Sequence, residues 1–432
     1  MKNKKILIIC PSMWPNMSMW GETQRMYYLA NHLGAHGWHV LVISPSYDTH
    51  RRDLDDKEQK YTNIYLGKIS QKSRDIGAEG KRRSFGMQQK VKNQVSYIIN
   101  QCGEWIYGEP DIAEIYRKSS WVRQYGNEIC KIIQEEAIKN VIISVPSFTF
   151  MKLGKLIKRK CVGAVIIYDY RDPWYLWRRK KNPAYFREKY YLQFANCIVG
   201  FSERFRNDMI KEMGIVPRKI NTVYNGYFEK GWKKLQESKD LSKITGITKS
   251  VNKMIITYTG YMSLNNKKDN YRNPANLISA VKNIPDVELY LVGISGTEER
   301  VEDNVHYIGE VTQQKSFAYM KQSDVLVSIH DTSDNSGEYL ISGKFYDYMR
   351  SGKVILHIGK ENGLMPEFIK KFKLGVVCQN KVGELQQKIL LLRNLWKEGK
   401  LTREEDDMEH IIRFERGFQN SIYEQIIDKI LV

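Results

Sequence analysis

The 432-residue sequence predicts an α/β chain built from two doubly wound, Rossmann-like domains. Three observations predict it. Short apolar runs alternate with amphipathic stretches between residues 5 and 223, and the same alternation restarts at residue 254 after a Lys/Ser-rich interval. The length is too great for one compact domain and comfortable for two. A parallel sheet buried on both faces needs continuous apolar strands separated by covering helices, which is the pattern present. The domains are placed at 1–230 and 250–414.

In the first half, strands are read at 5–9, 40–44, 141–145, 164–168, 198–201 and 220–223, with helices at 22–33, 112–136, 148–158 and 202–213. Residues 47–110 break the rhythm with a polar, aromatic insertion that includes Lys81-Arg82-Arg83 and Trp105-Ile106-Tyr107, and are expected to form helices and mobile loop. Asn225-Gly226 marks a turn, and 229–252, without periodicity, reads as a linker. The second half gives strands at 254–258, 288–292, 305–308, 325–329 and 354–358 and helices at 274–282 and 313–321. An amphipathic helix at 415–431 closes the chain after an acidic patch at 404–407. No internal repeat stands out. Ligands of doubly wound domains collect at the carboxyl ends of the strands, so the loops after Ile9, Val145, Tyr168, Tyr258, Val292 and Ile329 are expected around one cleft.

Composition narrows the classes. Hydrophobic residues make up 42% of the chain and aromatic residues 12%, ample for real cores. Six cysteines, Cys10, Cys102, Cys130, Cys161, Cys197 and Cys378, form no CxxC and have no close His partner, which argues against a disulfide scaffold and a cysteine zinc site and fits a reducing cytoplasm. The apolar run near the amino terminus is too short for a signal peptide, and no run approaches the ~20 residues needed to span a bilayer. Net charge is +19, unevenly spread: residues 1–250 carry 44 Lys and Arg against 24 Asp and Glu, and residues 251–432 carry 24 against 25. Within 151–200, basic side chains interleave with Trp174, Tyr175, Trp177, Tyr185, Phe186, Tyr190 and Tyr191. Such a mixture suits an anionic membrane surface, where each basic residue near the headgroups contributes roughly 1 kcal/mol. Nucleic acid, or simple solvation of a soluble surface, uses the same composition.

The segment SGKFYDYMRSGKVIL, beginning at Ser342, carries the most chemistry. Ser342-Gly343 opens a helix, Gly352 sits where it ends, and a buried strand follows. Free N–H groups at a helix start attract phosphate, and Lys344 adds a cation in the first turn. Asp347 lies about one turn further on, where a carboxylate can accept hydrogen bonds from two neighbouring sugar hydroxyls. The alternative is an amphipathic crossover helix with Phe345, Tyr348 and Met349 facing the core. A nucleic-acid binder would leave Asp347 without a purpose, so nucleic acid is not expected as a partner.

Other loops add candidates. The loop after the first strand holds Trp14, Trp20, Gly21 and Glu22, lacks GxGxxG, and suits a bulky acceptor better than a dinucleotide, although Gly21 also reads as a plain helix-entry turn. Asp172, followed by Pro173-Trp174, stands at a strand's carboxyl end, where it orients or deprotonates a hydroxyl, caps the following turn, or pairs with Arg171. No His is adjacent, which disfavours a hydrolase triad. Gly260 permits close backbone approach of a ligand, and Lys267, Lys268 and Arg272 supply cations that stabilise charge growing on a leaving phosphate without a metal. Spacing alone leaves open which of the three does so.

Taken in order, the Gly21-Glu22 loop, VIIYDYRDPW, FANCIVGFSE, KINTVYNGYF, ITYTGY, VELYLVG, VHYIGEV, SDVLVSI and SGKFYDYMRSGKVIL resemble the GT-B glycosyltransferases, specifically the retaining family-4 type of bacterial surface-polysaccharide assembly. The resemblance spans nearly the whole chain. It implies a nucleotide-sugar donor on the second domain, with Gly260, Tyr261, Lys268, Ser342, Gly343, Lys344 and Asp347 in contact, Asp347 on the ribose, and the base near Gly309 to Val311. It implies an acceptor, polyprenyl-linked or glycan, on the first domain against Trp14, Trp20, Gly21, Glu22 and Trp174, and a closing helix, 415–432, that returns there. Asp172, Glu338, Lys267 and Arg272 are the implied catalytic group. The family's first acid stands eight residues before the second, a position held here by Tyr339, with Glu338 one residue earlier. No metal or other cofactor is expected. The implied place of work is the cytoplasmic face of the plasma membrane. A nucleotide-sugar epimerase or hydrolase of the same fold, or a non-catalytic scaffold of an assembly complex, are the alternative readings.

Overall fold

A computed structural model describes residues 4–18, 20–47, 59–69, 103, 105–107, 111–177, 181–236, 240–248, 250–263, 272–295, 303–331, 336–403 and 407–430. The chain divides into two compact units, Met1–Tyr224 with Asn420–Val432, and Asn225–Gln419. The sequence reading put these changes at 230 and 415.

In the first unit, β1 (Lys5–Ile9), β2 (His39–Ser46), β3 (Thr62–Lys68), β4 (Asn140–Val145), β5 (Val165–Tyr170), β6 (Cys197–Gly200) and β7 (Ile220–Thr222) form a parallel sheet in the order β3-β2-β1-β4-β5-β6-β7. The helices are α1 (Trp20–Ala35), α2 (Ile112–Glu135), α3 (Met151–Lys160), α4 (Pro183–Leu192) and α5 (Glu203–Met213). Their ends follow local chemistry: Asp111, Asn182 and Ser202 each accept a hydrogen bond from a first-turn amide, and α5 stops at Gly214 with φ 70°. Strand β3 corrects the expectation of helix and loop through 47–110. Its TNIYLGK carries one buried side chain, Leu66, because it is an edge strand paired only with β2, so no apolar run betrays it. The triplet 105–107 is helical, whereas Lys81-Arg82-Arg83 lies outside the described residues.

The second unit repeats the plan. β8 (Met254–Ser263), β9 (Val287–Ser295), β10 (Val305–Ile308), β11 (Val325–His330), β12 (Val354–Gly359) and β13 (Gly375–Cys378) form a parallel sheet in the order β10-β9-β8-β11-β12-β13. Helices are α6 (Glu229–Gln236), α7 (Ser242–Thr245), α8 (Ala275–Val281), α9 (Gln313–Gln322), α10 (Gly343–Ser351), α11 (Leu364–Lys371), α12 (Val382–Lys397) and α13 (Asp407–Ile411). Helices α6 and α7 correct the expected linker at 229–252. The stretch lacks long periodicity because each helix is short, yet Trp232 stacks on Phe317 of α9 at 4.7 Å and Glu229 forms a two-point ion pair with Arg350. The unit's start and end meet at Gly226, where φ is 69° and a Cβ would lie 2.4 Å from the Phe414 carbonyl, so only glycine fits.

Helix α14 (Arg416–Ile430) ends the chain, and from Asn420 onward it belongs to the first unit. Tyr423, Ile426 and Ile427 enter the same core as Met26, Leu29 and Leu33 of α1. Beside this core Arg25 clasps the fully buried Asp169 with contacts of 2.9–3.1 Å and also donates to the Val223 carbonyl. No described helix is long and apolar enough to cross a membrane. Five cysteines are free and buried, and Cys102 lies outside the described residues.

Candidate functional site

In both sheets the strand order reverses direction beside the first strand of the unit, between β1 and β4 and between β8 and β11. Loops at the carboxyl ends of the strands diverge there, which opens a crevice without cutting the sheet.

At the second switch point, β8 runs past the expected residue 258 to Ser263, with a register shift between Thr259 and Met262. Gly260 sits in the shift at φ 126°, a conformation that disfavours any side chain. Helix α10 is anchored beside it: the Tyr348 hydroxyl accepts from the Thr259 amide at 2.9 Å and lies 3.1 Å from the Thr259 hydroxyl. One turn earlier on the same face, Lys344 is laid over the Tyr258 ring, its Nζ 3.5 Å from the centroid. A Cβ on Gly260 would approach that Nζ to 3.2 Å. Among the described residues, Lys344 Nζ and Ser342 Oγ are buried without a hydrogen-bond partner. Ser342 is the N-cap residue, its side chain caps no amide of α10, and its carbonyl accepts from the Phe345 amide at 2.9 Å. Burial, reinforced by the nearby Arg272 guanidinium, holds Lys344 well below the ordinary lysine range. An anion bound beside a buried lysine favours its charged form.

The structure therefore brings Gly260, Ser342, Gly343, Lys344 and Arg272 together. Lys267 and Lys268 lie outside the described residues, as does the side chain of Tyr261. Asp347, half-buried on α10, has the Arg416 guanidinium and the Trp232 indole as neighbours; burial pushes its carboxyl up to about 7 against both. Glu338 is half-buried in a single 3-10 turn, while Tyr339, at the eight-residue spacing, is fully buried and serves the core. The loops after β9 and β10 meet through the Gly293 amide and Gly309 carbonyl at 3.1 Å, Gly309 is exposed, and Val311 packs against the cluster of Ile247, Ile255, Val292 and Tyr319.

The first switch point gathers the loops after β1, β4 and β5. Ser18 Oγ donates to Glu22 at 2.6 Å, and Arg171 donates to the backbone carbonyls of Glu22, at 2.7 Å, and of Pro146. Arg171 thus spends its hydrogen bonds on backbone rather than on Asp172. The Asp172 carboxylate accepts none from any described residue. Burial raises its pKa, Arg171 opposes this, and the Glu22 carboxylate adds to it. A half-buried acid with a raised pKa at a switch point is suited to proton transfer. Gly21 is exposed and a Cβ there would meet nothing within 4 Å.

Trp14, expected at an acceptor surface, is instead a core side chain, 2% exposed, packed edge-on to Tyr27. The cause is β3, whose Tyr65 and Asn63 both hold the Trp14 carbonyl at 2.8 Å. Trp20 is half-buried against Tyr27 and Tyr28. Trp174 stacks on Phe148 at 4.5 Å and, with Tyr107, Lys152, Arg187 and Tyr191, lines a cavity of about 270 Å³. Sequence reasoning missed Tyr258, Phe148, Lys152 and Arg187. Only the i, i+4 spacing of Lys344 and Tyr348 offered a signal, and it does not name the strand they face.

Behind this cavity Glu188 is fully buried, accepting from the Tyr175 amide at 2.8 Å and the Tyr170 hydroxyl at 3.0 Å, and burial lifts its carboxyl to about 7. The folded state thus favours the protonated acid. Its contribution is complete below the unfolded value near 4.5 and is lost as pH rises through about 7. Glu188→Gln is expected to become more stable than the parent by on the order of 2 kcal/mol between pH 5 and 8. Chemical denaturation at both values checks this, and an unchanged difference contradicts it.

No family model and no curated protein sequence matches the chain. Solved structures do. A glycosyltransferase from Rickettsia africae ESF-5 superposes with a TM-score of 0.64 at 13% identity, over 100% of this chain and 99% of that one. Alr3699/HepE of Anabaena, solved with UDP-glucose, gives 0.56 at 12% over 99% of each. UDP-GlcNAc 2-epimerase from Neisseria meningitidis, bound to UDP-GlcNAc, gives 0.54 at 11% over 98% and 100%. At these identities the likeness speaks for architecture, and the architecture agrees with the two sheets described above: the chain has the GT-B fold, the fold of glycosyltransferases and of UDP-GlcNAc 2-epimerases.

Proposed function

We propose that this protein is a glycosyltransferase that takes a sugar from a nucleoside-diphosphate donor, held by the second unit, and delivers it to a glycan or lipid-linked acceptor held by the first. The observation that carries this is Lys344, its Nζ buried over Tyr258 without a hydrogen-bond partner among the described residues, beside Gly260 and a start of α10 that the Ser342 side chain does not cap. A buried lysine head beside a helix start is an arrangement that receives a phosphate. The UDP-sugars bound in Alr3699/HepE and the Neisseria epimerase favour uridine as the base. Asp347 is assigned to the donor ribose, Glu338 to the donor sugar and Asp172 to the acceptor hydroxyl, with retained anomeric configuration as the family resemblance implies. Asp347→Asn is expected to weaken donor binding by about 1.5 kcal/mol, the cost of one charged hydrogen bond. Calorimetry that returns the parent Kd would remove Asp347 from the ribose.

The epimerase reading has its own support in the epimerase likenesses. Incubation with UDP-sugars separates the two: a transferase consumes donor only when an acceptor is present, an epimerase converts UDP-GlcNAc alone, and a scaffold does neither.

The place of work follows from the charge split. On α4, Phe186 is 62% and Tyr190 42% exposed, with Lys155 over the Tyr190 ring and Lys181 over Tyr185. Exposed rings among cations suit the anionic inner face of a plasma membrane. Binding to anionic liposomes is expected to fall steeply with salt and to weaken further when Phe186 and Tyr190 become Ser. Equal partition onto neutral vesicles contradicts this.

A further inference from the structure

At the end of α1 opposite to Glu22, His32 and His36 lie one helical turn apart, the His36 amide donating to the His32 carbonyl at 3.1 Å, so both imidazoles project from one face. Their ring centroids are 4.1 Å apart. Glu424 of α14 reaches this face: its Oε2 lies 3.2 Å from His32 Nε2 and 2.5 Å from His36 Nδ1. Its other oxygen, Oε1, accepts from the Trp38 indole at 2.9 Å, which fixes the carboxylate with Oε2 turned to the two rings. Two imidazole nitrogens and one carboxylate oxygen thus lie within 4.8 Å of one another, on elements of one compact unit.

We propose that His32, His36 and Glu424 form a binding site for a divalent transition-metal ion, Zn²⁺ being the best match, that clamps α14 to α1. Zinc takes nitrogen and carboxylate oxygen at about 2.0–2.2 Å in tetrahedral geometry, which sets ligand atoms ~3.4 Å apart. The His32–Glu424 separation already fits. His36 has to move outward by under about 1 Å, and its side chain, 47% exposed, is free to do so, whereas those of His32 and Glu424 are 13% exposed and held. Imidazole with carboxylate selects Zn²⁺, Co²⁺, Ni²⁺ or Cu²⁺ over Mg²⁺ and Ca²⁺, which prefer oxygen alone. Trp38 acts as the outer-shell donor that orients the carboxylate. Lys4, with its Nζ 3.9 Å from Oε1 and 42% of its side chain exposed, opposes the ion by charge. The exposed side of His36 leaves the fourth position to water. The site lies at the end of α1 away from Glu22 and the first switch point, so its role is to hold α14 in place rather than to take part in transfer.

The test uses the full chain, treated with chelator and then titrated with Zn²⁺ or Co²⁺ alone. Zn²⁺ is expected to raise the melting temperature by roughly 3–6 °C, and Co²⁺ to give visible absorption of a nitrogen- and oxygen-ligated ion. His36→Ala, at an exposed position, and Glu424→Gln should each melt cooperatively without metal yet lose both responses, and Lys4→Met should tighten Zn²⁺ binding severalfold. A parent protein with neither response overturns the proposal. So does a His36→Ala variant that responds like the parent, because the ion then sits elsewhere.

Discussion

Replacing Lys344 by Met is expected to weaken nucleoside-diphosphate binding about a hundredfold while making the empty protein more stable. The two effects have one cause. Lys344 Nζ is buried over the Tyr258 ring without a hydrogen-bond acceptor among the described residues, so the empty fold bears an unsatisfied polar group that Met replaces with similar volume. An arriving phosphate supplies the missing acceptor, and losing one or two charged hydrogen bonds of ~1.5–3 kcal/mol each accounts for the affinity change. A proton signature accompanies it. Lys344 titrates well below the usual lysine range because of burial and Arg272, and a dianion placed against it raises it again. Binding at a pH above the lowered Lys344 pKa should therefore take up a proton in the parent and none in Lys344→Met, read as the dependence of calorimetric enthalpy on buffer ionisation heat. A variant with weaker binding but lower stability would mark Lys344 as a packing residue.

Replacing Asp172 by Asn is expected to lower turnover by ~10²–10⁴ with donor binding intact, because a positioned acid–base group contributes on that scale. Its two structural alternatives are weakened by what surrounds it: Arg171 gives its hydrogen bonds to the carbonyls of Glu22 and Pro146, and the Asp172 carboxylate caps no described amide. The pH profile is a second readout. Since burial raises the Asp172 pKa against Arg171, with Glu22 adding to it, the acidic limb of kcat/KM should lie above the value of an exposed aspartate and flatten in the variant. Full turnover with a lower melting temperature would assign Asp172 to structure.

The fold was legible where strands are buried on both faces. β1, β4, β11 and β12 are continuous apolar runs, and Gly352 ends α10, at φ 74°, where the sequence reading put the end. Edge strand β3 was not legible, because one covered face leaves one buried side chain in seven residues. Losing β3 also misled the reading of Trp14, whose burial depends on Tyr65 and Asn63 some fifty residues away. Within the site, Lys344 was legible from its place at a helix start. Its posture over Tyr258 was not, since that depends on Tyr348 binding Thr259 across 89 positions. The cluster of His32, His36 and Glu424 was not read from the chain, because Glu424 lies 392 residues from His32 and only folding brings it there.

The central claim is that Lys344 and the start of α10, beside Gly260 of β8, receive the diphosphate of the donor. A crystal structure with a nucleoside diphosphate bound tests it most directly. The account predicts phosphate oxygens at ~2.7–3.2 Å from Lys344 Nζ and from the first amides of α10, with Gly260 backing the ligand. A nucleotide bound away from this crevice, with Lys344 still laid over Tyr258 and without an anion beside it, would contradict it.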